Sequence, residues 1–282
     1  MLVNLKEILR LAEESNYAIG AFNTPNLESI MAVIHTAEKN DVPVIIMHAE
    51  LHEEIMPLDI IGPIMVSMAR KSSVPVCVHL DHGENLDYLR RSLDMGFTSI
   101  MYDGSALPYA ENVENTRKAV WMARQYSAGV EAEIGVLAGR ESGGDTEVTA
   151  SDLYTDPATA EQFVKETNID ALACSFGTAH GFYTTIPKLD FERIKTIKEL
   201  TRLPLVMHGG SGVSSEDYVK AIDVGIRKIN YYSYMSLAGV KGEQKLLKND
   251  EVKYFHDLAL AAMESMAKDV DRAMRVFYRI DS

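Results

Sequence analysis

Eight short apolar runs, each followed by a loop and then by a segment of helical period, constrain this chain more than any other feature. The runs are "YAIGAF" (17–22), "VPVIIM" (42–47), "VPVCVHL" (74–80), "TSIMY" (98–102), "GVEAEI" (129–134), "DALACSF" (170–176), "LPLVMH" (203–208) and "IRKIN" (226–230). Between them, stretches such as "LESIMAVIHTAEKN", "ENLDYLRRSLDM" and "DFERIKTIKEL" read as amphipathic helices. Ser214 stands where a helix N-cap is wanted, with acids in the turn that follows, and Gly96 and Gly225 follow helical segments as C-terminal caps do. Buried strands alternating with helices, with no linker and no low-complexity stretch, predict an α/β chain folded as a (β/α)8 TIM barrel. A doubly wound sheet would be expected to carry a GxGxxG turn after an early strand, and none is present. One barrel domain over residues 1–282 is therefore expected. From about residue 235 additional C-terminal helices pack outside it or in an oligomer interface.

Composition narrows the partners. The net charge of −13 argues against nucleic acid, whose phosphates need clustered Lys and Arg. An anionic substrate must then be held by local positive features, such as a metal ion or helix N-termini. Cys77 and Cys174 both sit in apolar runs, which suggests a reducing compartment and no disulfide framework. The first twenty residues are charged every few positions and lack a signal-peptide core. No uncharged apolar stretch approaches the ~20 residues of a membrane span. A soluble, cytoplasmic protein with no membrane partner is expected.

The polar residues gather where the runs end. Asn23, Asp81, His82, Asp103, Glu133, His208 and Asn230 close six of the runs, and "GTAHGFY" after the sixth contributes His180. In a barrel these distant positions share one rim, the C-terminal end of the strands where catalytic groups sit. His82, His180 and His208 make a natural zinc set with one position open for water or substrate. Asp103 and Glu133 are candidates to hold these rings by hydrogen bonds or to serve as alternative ligands. One such histidine is more often a satisfied residue at a core edge, and His35 and His256 fall in that class; three on three strand ends are not. His79 shares a strand side with Asp81 and is a candidate only for orienting it.

Glycine-rich turns give a second signal. The backbone of "HGGSG" (208–212) can approach an oxyanion closely, and a helix begins a few residues on. Gly181 and "NYYS" (230–233) could complete a phosphate cup from neighbouring strand ends.

Taken in order, "GAFN", "HLDHG", "DGS", "EAEIG", "GTAHGFY", "HGGSG" and "KIN" resemble the motifs of class II metal-dependent ketose-bisphosphate aldolases, over nearly the whole chain to about residue 235. The family includes fructose- and tagatose-bisphosphate aldolases, and the compact length and "GTAHG" look closer to the tagatose type. The resemblance implies that His82, His180 and His208 bind Zn²⁺, with a monovalent cation as a candidate second ion. It implies that Asp81 is the acid/base at the hydroxyl next to the broken bond, and that Glu141 moves the proton at the enolising carbon. Gly181, Gly209, Gly210, Ser211, Asn230, Tyr231, Tyr232 and Ser233 would hold the glycerone phosphate moiety, with Asn23 beside the substrate. Glu133 would support the metal.

The chemistry agrees. Breaking a carbon–carbon bond beside a ketone leaves an enediolate, which Zn²⁺ stabilises as a Lewis acid. A Schiff-base lysine is the alternative, but the sixth run has no lysine and Lys228 lies two residues below Asn230. Two departures from the family fall near the substrate: Tyr232, Ser233 and Tyr234 after the last run, and Ala49 where a Ser or Thr usually stands. In the loop after the second run, Glu50, Glu53 and Glu54 would repel a phosphate at the aldehyde end. The expected function is a zinc-dependent aldolase that cleaves a ketose 1-phosphate or 1,6-bisphosphate, the 1-phosphate preferred, in a homodimer or homotetramer. The alternatives are an aldolase for another phosphorylated sugar or sugar acid, and a non-catalytic relative that binds sugar phosphates. Retention of Asp81 and Glu141 speaks against the last.

Overall fold

All eight apolar runs are strands in the computed structural model, which describes residues 1–135, 154–183, 186–248 and 252–280. They are β1 (Ile19–Asn23), β2 (Val44–Ala49), β3 (Val76–Gly83), β4 (Ser99–Tyr102), β5 (Gly129–Ile134), β6 (Ala171–Cys174), β7 (Leu205–Met207) and β8 (Ile226–Tyr231). Every neighbouring pair is parallel, and β8 pairs with β1, so the sheet closes into a barrel in sequence order. The strands are buried at nearly every position because side chains fill the barrel on one face and meet helices on the other.

The helices that return the chain are α2 (Leu27–Asn40), α3 (Leu58–Lys71), α4 (Leu86–Asp94), α5 (Tyr109–Gln125), α6 (Pro157–Thr167), α7 (Phe191–Thr201) and α8 (Ser215–Asp223). Ser214 caps α8 by accepting a hydrogen bond from the Asp217 amide at 3.1 Å. Gly96 and Gly225 adopt φ of +96° and +127° directly after α4 and α8, conformations that suit glycine. α1 (Leu5–Ser15) has no counterpart in the sequence reading. It touches β1, β3, β5 and β8, so it lies across the N-terminal end of the barrel, and it buries Leu5, Ile8, Leu9 and Ala12 there.

The C-terminal helices divide their work. α9 (Ser233–Leu246) follows β8 directly and takes the eighth place in the helix ring, slightly earlier than the expected start of an outer extension. α10 (Phe255–Phe277) packs outside the barrel, against α9, α2 and α8, and buries Met266, Val270, Met274 and Phe277. Among the described residues, no helix is long and apolar enough to cross a membrane.

Candidate active site

Side chains alternate along a strand, so Asp81 and His82 should point to opposite faces of β3. A bulge prevents this. Leu80 pairs with Ile100 while Gly83 pairs with Tyr102, so β3 uses one residue more than β4 over this interval. His82 absorbs the extra residue at φ +45°, in the left-handed region that histidine tolerates better than most side chains. Gly83 completes the turn-in, because a Cβ there would lie 2.4 Å from Leu89 Cδ1 and 2.9 Å from the Met101 carbonyl oxygen. Asp81 and His82 thereby reach the same mouth.

His82 meets the two other expected ligands there. Its ring centroid lies 4.6 Å from that of His208 and 5.0 Å from that of His180. One ligand nitrogen from each of the three falls within 4.8 Å of the others. His82 Nδ1 donates to Asp103 Oδ2 at 2.7 Å, and His208 Nε2 donates to Glu131 Oε1 at 2.8 Å. The nitrogens that face each other, His82 Nε2 and His208 Nδ1 at 2.9 Å, are then left as lone pairs. Two lone pairs at that distance repel unless a cation or a proton stands between them. Burial disfavours charge on His82, yet Asp81 and the bond to Asp103 raise its proton affinity well above that of an ordinary histidine. Burial and the neighbouring Asp103 raise Glu133 well above the usual carboxylate range. The site thus favours added positive charge, and the donor set fits a metal ion. His82, Asp103 and Glu133 form a second converging group, as their expected auxiliary role requires.

Glu131 was not among the expected site residues. It faces inward like Glu133 two positions on, and that period-two repeat was the available signal. Its Oε2 lies 2.8 Å from Lys228 Nζ, with both side chains fully buried. Burial pushes Glu131 upward, but Lys228 and His208 outweigh it and hold the carboxyl below its ordinary range. Lys228 therefore serves as a counter-ion inside the barrel. His79 does not hydrogen-bond Asp81 as expected. Its Nδ1 lies 2.6 Å from Ser99 Oγ, one strand away, because β3 and β4 place the two residues in register.

Asp81 is oriented by two amides instead. Asn23 Nδ2 donates to its Oδ2 at 2.9 Å, and Asn230 Nδ2 to its Oδ1 at 3.2 Å. Burial works against the charge, but His82 and His208 hold the carboxyl well below the usual range, so it is ionised at neutral pH. Glu141 lies outside the described residues.

The glycine turn is tightly tied. Gly209, at φ +61°, approaches Ala179 so closely that a Cβ would lie 2.3 Å from its carbonyl oxygen. The Tyr183 hydroxyl accepts from the Ala179 amide at 2.9 Å and donates to the Gly209 carbonyl at 2.8 Å, joining the loops after β6 and β7. Nothing in "GTAHGFY" by itself signals this bridging role of Tyr183. The Gly210 amide donates to the Asn230 carbonyl, and Ser211 Oγ accepts from the Tyr232 amide at 2.9 Å. Gly181, at φ +89°, has nothing within 4 Å of where a Cβ would stand, so its side toward the mouth is open. α9 starts beside this turn with no side-chain cap, which leaves first-turn amides for an anion. Tyr231 differs from the expectation. Its ring packs on Phe22 and Phe277 and its hydroxyl donates to Asp269, so its side chain belongs to the contact with α10.

At the β2 end, Ala49 pairs with Asp81. Glu50 accepts from the Glu84 and Asn85 amides, and Glu53 from the Tyr88 hydroxyl, the Leu58 amide and Arg91. Their charge remains at this end of the barrel, but the loop and α4 bind it. His35 on α2 and His256 on α10, expected at a core edge, are exposed, and neither belongs to the converging group of histidines.

A closed parallel barrel with three imidazoles, a buried ionised aspartate and an anion-friendly glycine turn on its C-terminal rim defines a (β/α)8 enzyme with a candidate metal centre. The chain belongs to the class II fructose-bisphosphate aldolase family, which matches residues 3–282, and aldolases are lyases. A fructose-bisphosphate aldolase of Staphylococcus aureus strain Mu50 is 37% identical over 258 residues, 90% of this chain and 88% of that protein. A 6-phospho-5-dehydro-2-deoxy-D-gluconate aldolase of Halalkalibacterium halodurans is 36% identical over 282 residues, 98% of this chain and 96% of that protein. The crystal structure of the YdjI aldolase from Escherichia coli K12 superposes with a TM-score of 0.87 at 32% identity, covering 98% of this chain and 97% of that one. Class II aldolases are metal-dependent and act on sugar phosphates.

Proposed function

We propose that the chain is a zinc-dependent aldolase that reversibly cleaves a ketose 1-phosphate or 1,6-bisphosphate to glycerone phosphate and an aldehyde. The observation that carries this reading is the convergence of His82, His180 and His208 beside an Asp81 carboxylate clamped by Asn23 and Asn230. The three imidazoles would hold the ion, with Asp103 and Glu131 fixing two rings and Glu133 as an auxiliary ligand. Zinc, when bound, supplies Lewis-acid stabilisation to the enediolate. Asp81 takes the proton from the hydroxyl next to the breaking bond and returns it in the reverse direction. Glu141 moves the proton at the enolising carbon. Gly181, the turn from Gly209 to Ser211 and the backbone from Asn230 to Ser233, where β8 passes into α9, hold the phosphate, with a monovalent cation as a candidate helper.

The 1-phosphate is the better substrate on this reading, because Glu50 and Glu53 keep negative charge at the aldehyde end. A like charge within a few ångströms costs about 1–4 kcal/mol at intermediate dielectric, enough for one to three powers of ten in preference. The sugar-acid alternative draws support from the relative named for a phosphorylated gluconate derivative. The chain is proposed to act in the cytoplasm as one barrel domain, in a homodimer or homotetramer built through its C-terminal helices.

Metal content measured together with glycerone phosphate release from a panel of ketose and keto-acid phosphates tests the assignment. Release with a zinc-loaded protein supports it, and tenfold preference for a bisphosphate over its 1-phosphate overturns the substrate choice.

A further inference from the structure

His180 differs from the two other expected ligands in what supports it. His82 lies within β3 and His208 directly follows β7, whereas β6 ends at Cys174 and His180 stands on the loop beyond it. In that loop the Tyr183 hydroxyl accepts from the Ala179 amide, four residues back, and so closes the chain around His180 and Gly181. Its one proton goes to the Gly209 carbonyl, in the turn after β7.

Each end of this bridge adjoins both halves of the candidate site. Ala179 precedes His180 and Gly181, and Gly209 stands between His208 and Gly210. The His180 and His208 rings lie 5.8 Å apart, centroid to centroid. The two loops are in backbone contact, since a Cβ on Gly209 would lie 2.6 Å from the Ala179 carbonyl carbon and 3.0 Å from its nitrogen. A shift of one loop against the other therefore changes the spacing of two imidazoles and the width of the anion cup together. A hydroxyl bonded to both loops ties those two spacings to each other, as supporting hydrogen bonds do for the residues they hold.

We propose that Tyr183 is a positioning residue whose hydroxyl couples the two halves. An anion at Gly181 and Gly209–Ser211 tightens metal binding at His180 and His208, and the metal tightens the anion. The inference rests on the aldolase reading above, which puts a metal and a phosphate at these residues. Such coupling is reciprocal by thermodynamic necessity, and its usual size is about 5–150-fold in affinity. Part of the factor is the direct attraction between cation and ligand, which does not pass through Tyr183. Tyr183→Phe removes the hydroxyl and leaves that attraction in place, so the difference between the two proteins isolates the bridge.

Zinc affinity, measured on the metal-free protein by competition with a chelator, with and without saturating glycerone phosphate, gives the coupling factor. In the wild-type protein glycerone phosphate should tighten zinc by about fivefold or more. In Tyr183→Phe that factor should fall by about threefold or more. Tyr183→Met, flexible enough to fill the same space without a hydroxyl, is the second variant and should behave alike. A merely structural role would weaken zinc to the same extent with and without glycerone phosphate, and would leave the factor where it was. Wild-type protein that takes up no zinc, or that does not bind glycerone phosphate when zinc-loaded, would sink the aldolase reading and the coupling with it. Two ligands that bind the wild-type protein independently, or a factor that survives unchanged in both variants, overturn the coupling alone.

Discussion

His82 Nε2 and His208 Nδ1 stand 2.9 Å apart, each on a ring whose other nitrogen is tied to a carboxylate, Asp103 for the first and Glu131 for the second. Nitrogens sharing a tetrahedral ion with bonds of ~2.0–2.1 Å stand about 3.3 Å apart, so the pair needs little movement to take one. About one zinc per chain is therefore expected. It should be lost on His82→Ala, His180→Ala or His208→Ala, and activity lost to a chelator should return with added zinc. Elemental analysis and chelation measure this, and full activity in metal-free protein would refute it.

On the proposed reading Asp81 serves the cleavage step and not enolisation. Asp81→Ala should keep zinc and glycerone phosphate binding but slow cleavage by about 10²–10⁴-fold, the range for a lost general acid/base. Its glycerone phosphate proton exchange should survive, whereas Glu141→Ala should depress it. Wild-type exchange rates in both variants would show the roles to be wrongly assigned.

The Lys228–Glu131 pair lies at 2.8 Å with no solvent on either side chain. Removing one partner of a buried pair typically costs about 3–5 kcal/mol, because the other charge is stranded. Lys228→Met should lose that much stability in urea, and adding Glu131→Gln should recover part of it. Borohydride with substrate should leave the wild-type protein active, since this lysine is committed to a carboxylate.

His48 gives the stability a pH dependence. Burial and the neighbouring His52 lower its pKa from 6.5 to about 4, so the folded protein keeps it neutral where the unfolded chain would protonate it. The contribution is complete above pH 6.5 and is lost as pH falls from there toward 4, at about 1.4 kcal/mol per pH unit. Urea midpoints at pH 7 and 5 should differ less in His48→Met than in wild type. An unchanged difference would mean that His48 is charged in the fold.

The sequence by itself determined the barrel. Eight apolar runs separated by helical periods have few other ways to bury every strand on both faces, and the closed order β1 to β8 follows. It also determined which strand ends carry polar side chains, since polar residues at the rim of an apolar core cost free energy unless something pairs with them. The helix across the barrel bottom escaped notice because "LKEILRLAEES" is a strong amphipathic pattern with no preceding strand to give it a place in the repeat.

Only the tertiary structure decided which neighbours these residues have. Period two along β3 separates Asp81 from His82, and a one-residue bulge, legible only in the pairing with β4, brings them to one mouth. Tyr231 and Tyr232 are adjacent in the chain, yet the first is drawn into the contact with α10 while the second borders the glycine turn at Gly209–Ser211. Glu131 became the partner of His208 and Lys228 because barrel closure places β5, β7 and β8 side chains across one interior. A local pattern states which residue types a strand end offers. Register, bulge and closure, which depend on contacts far apart in the chain, fix the few ångströms over which imidazoles, carboxylates and amides act on one another.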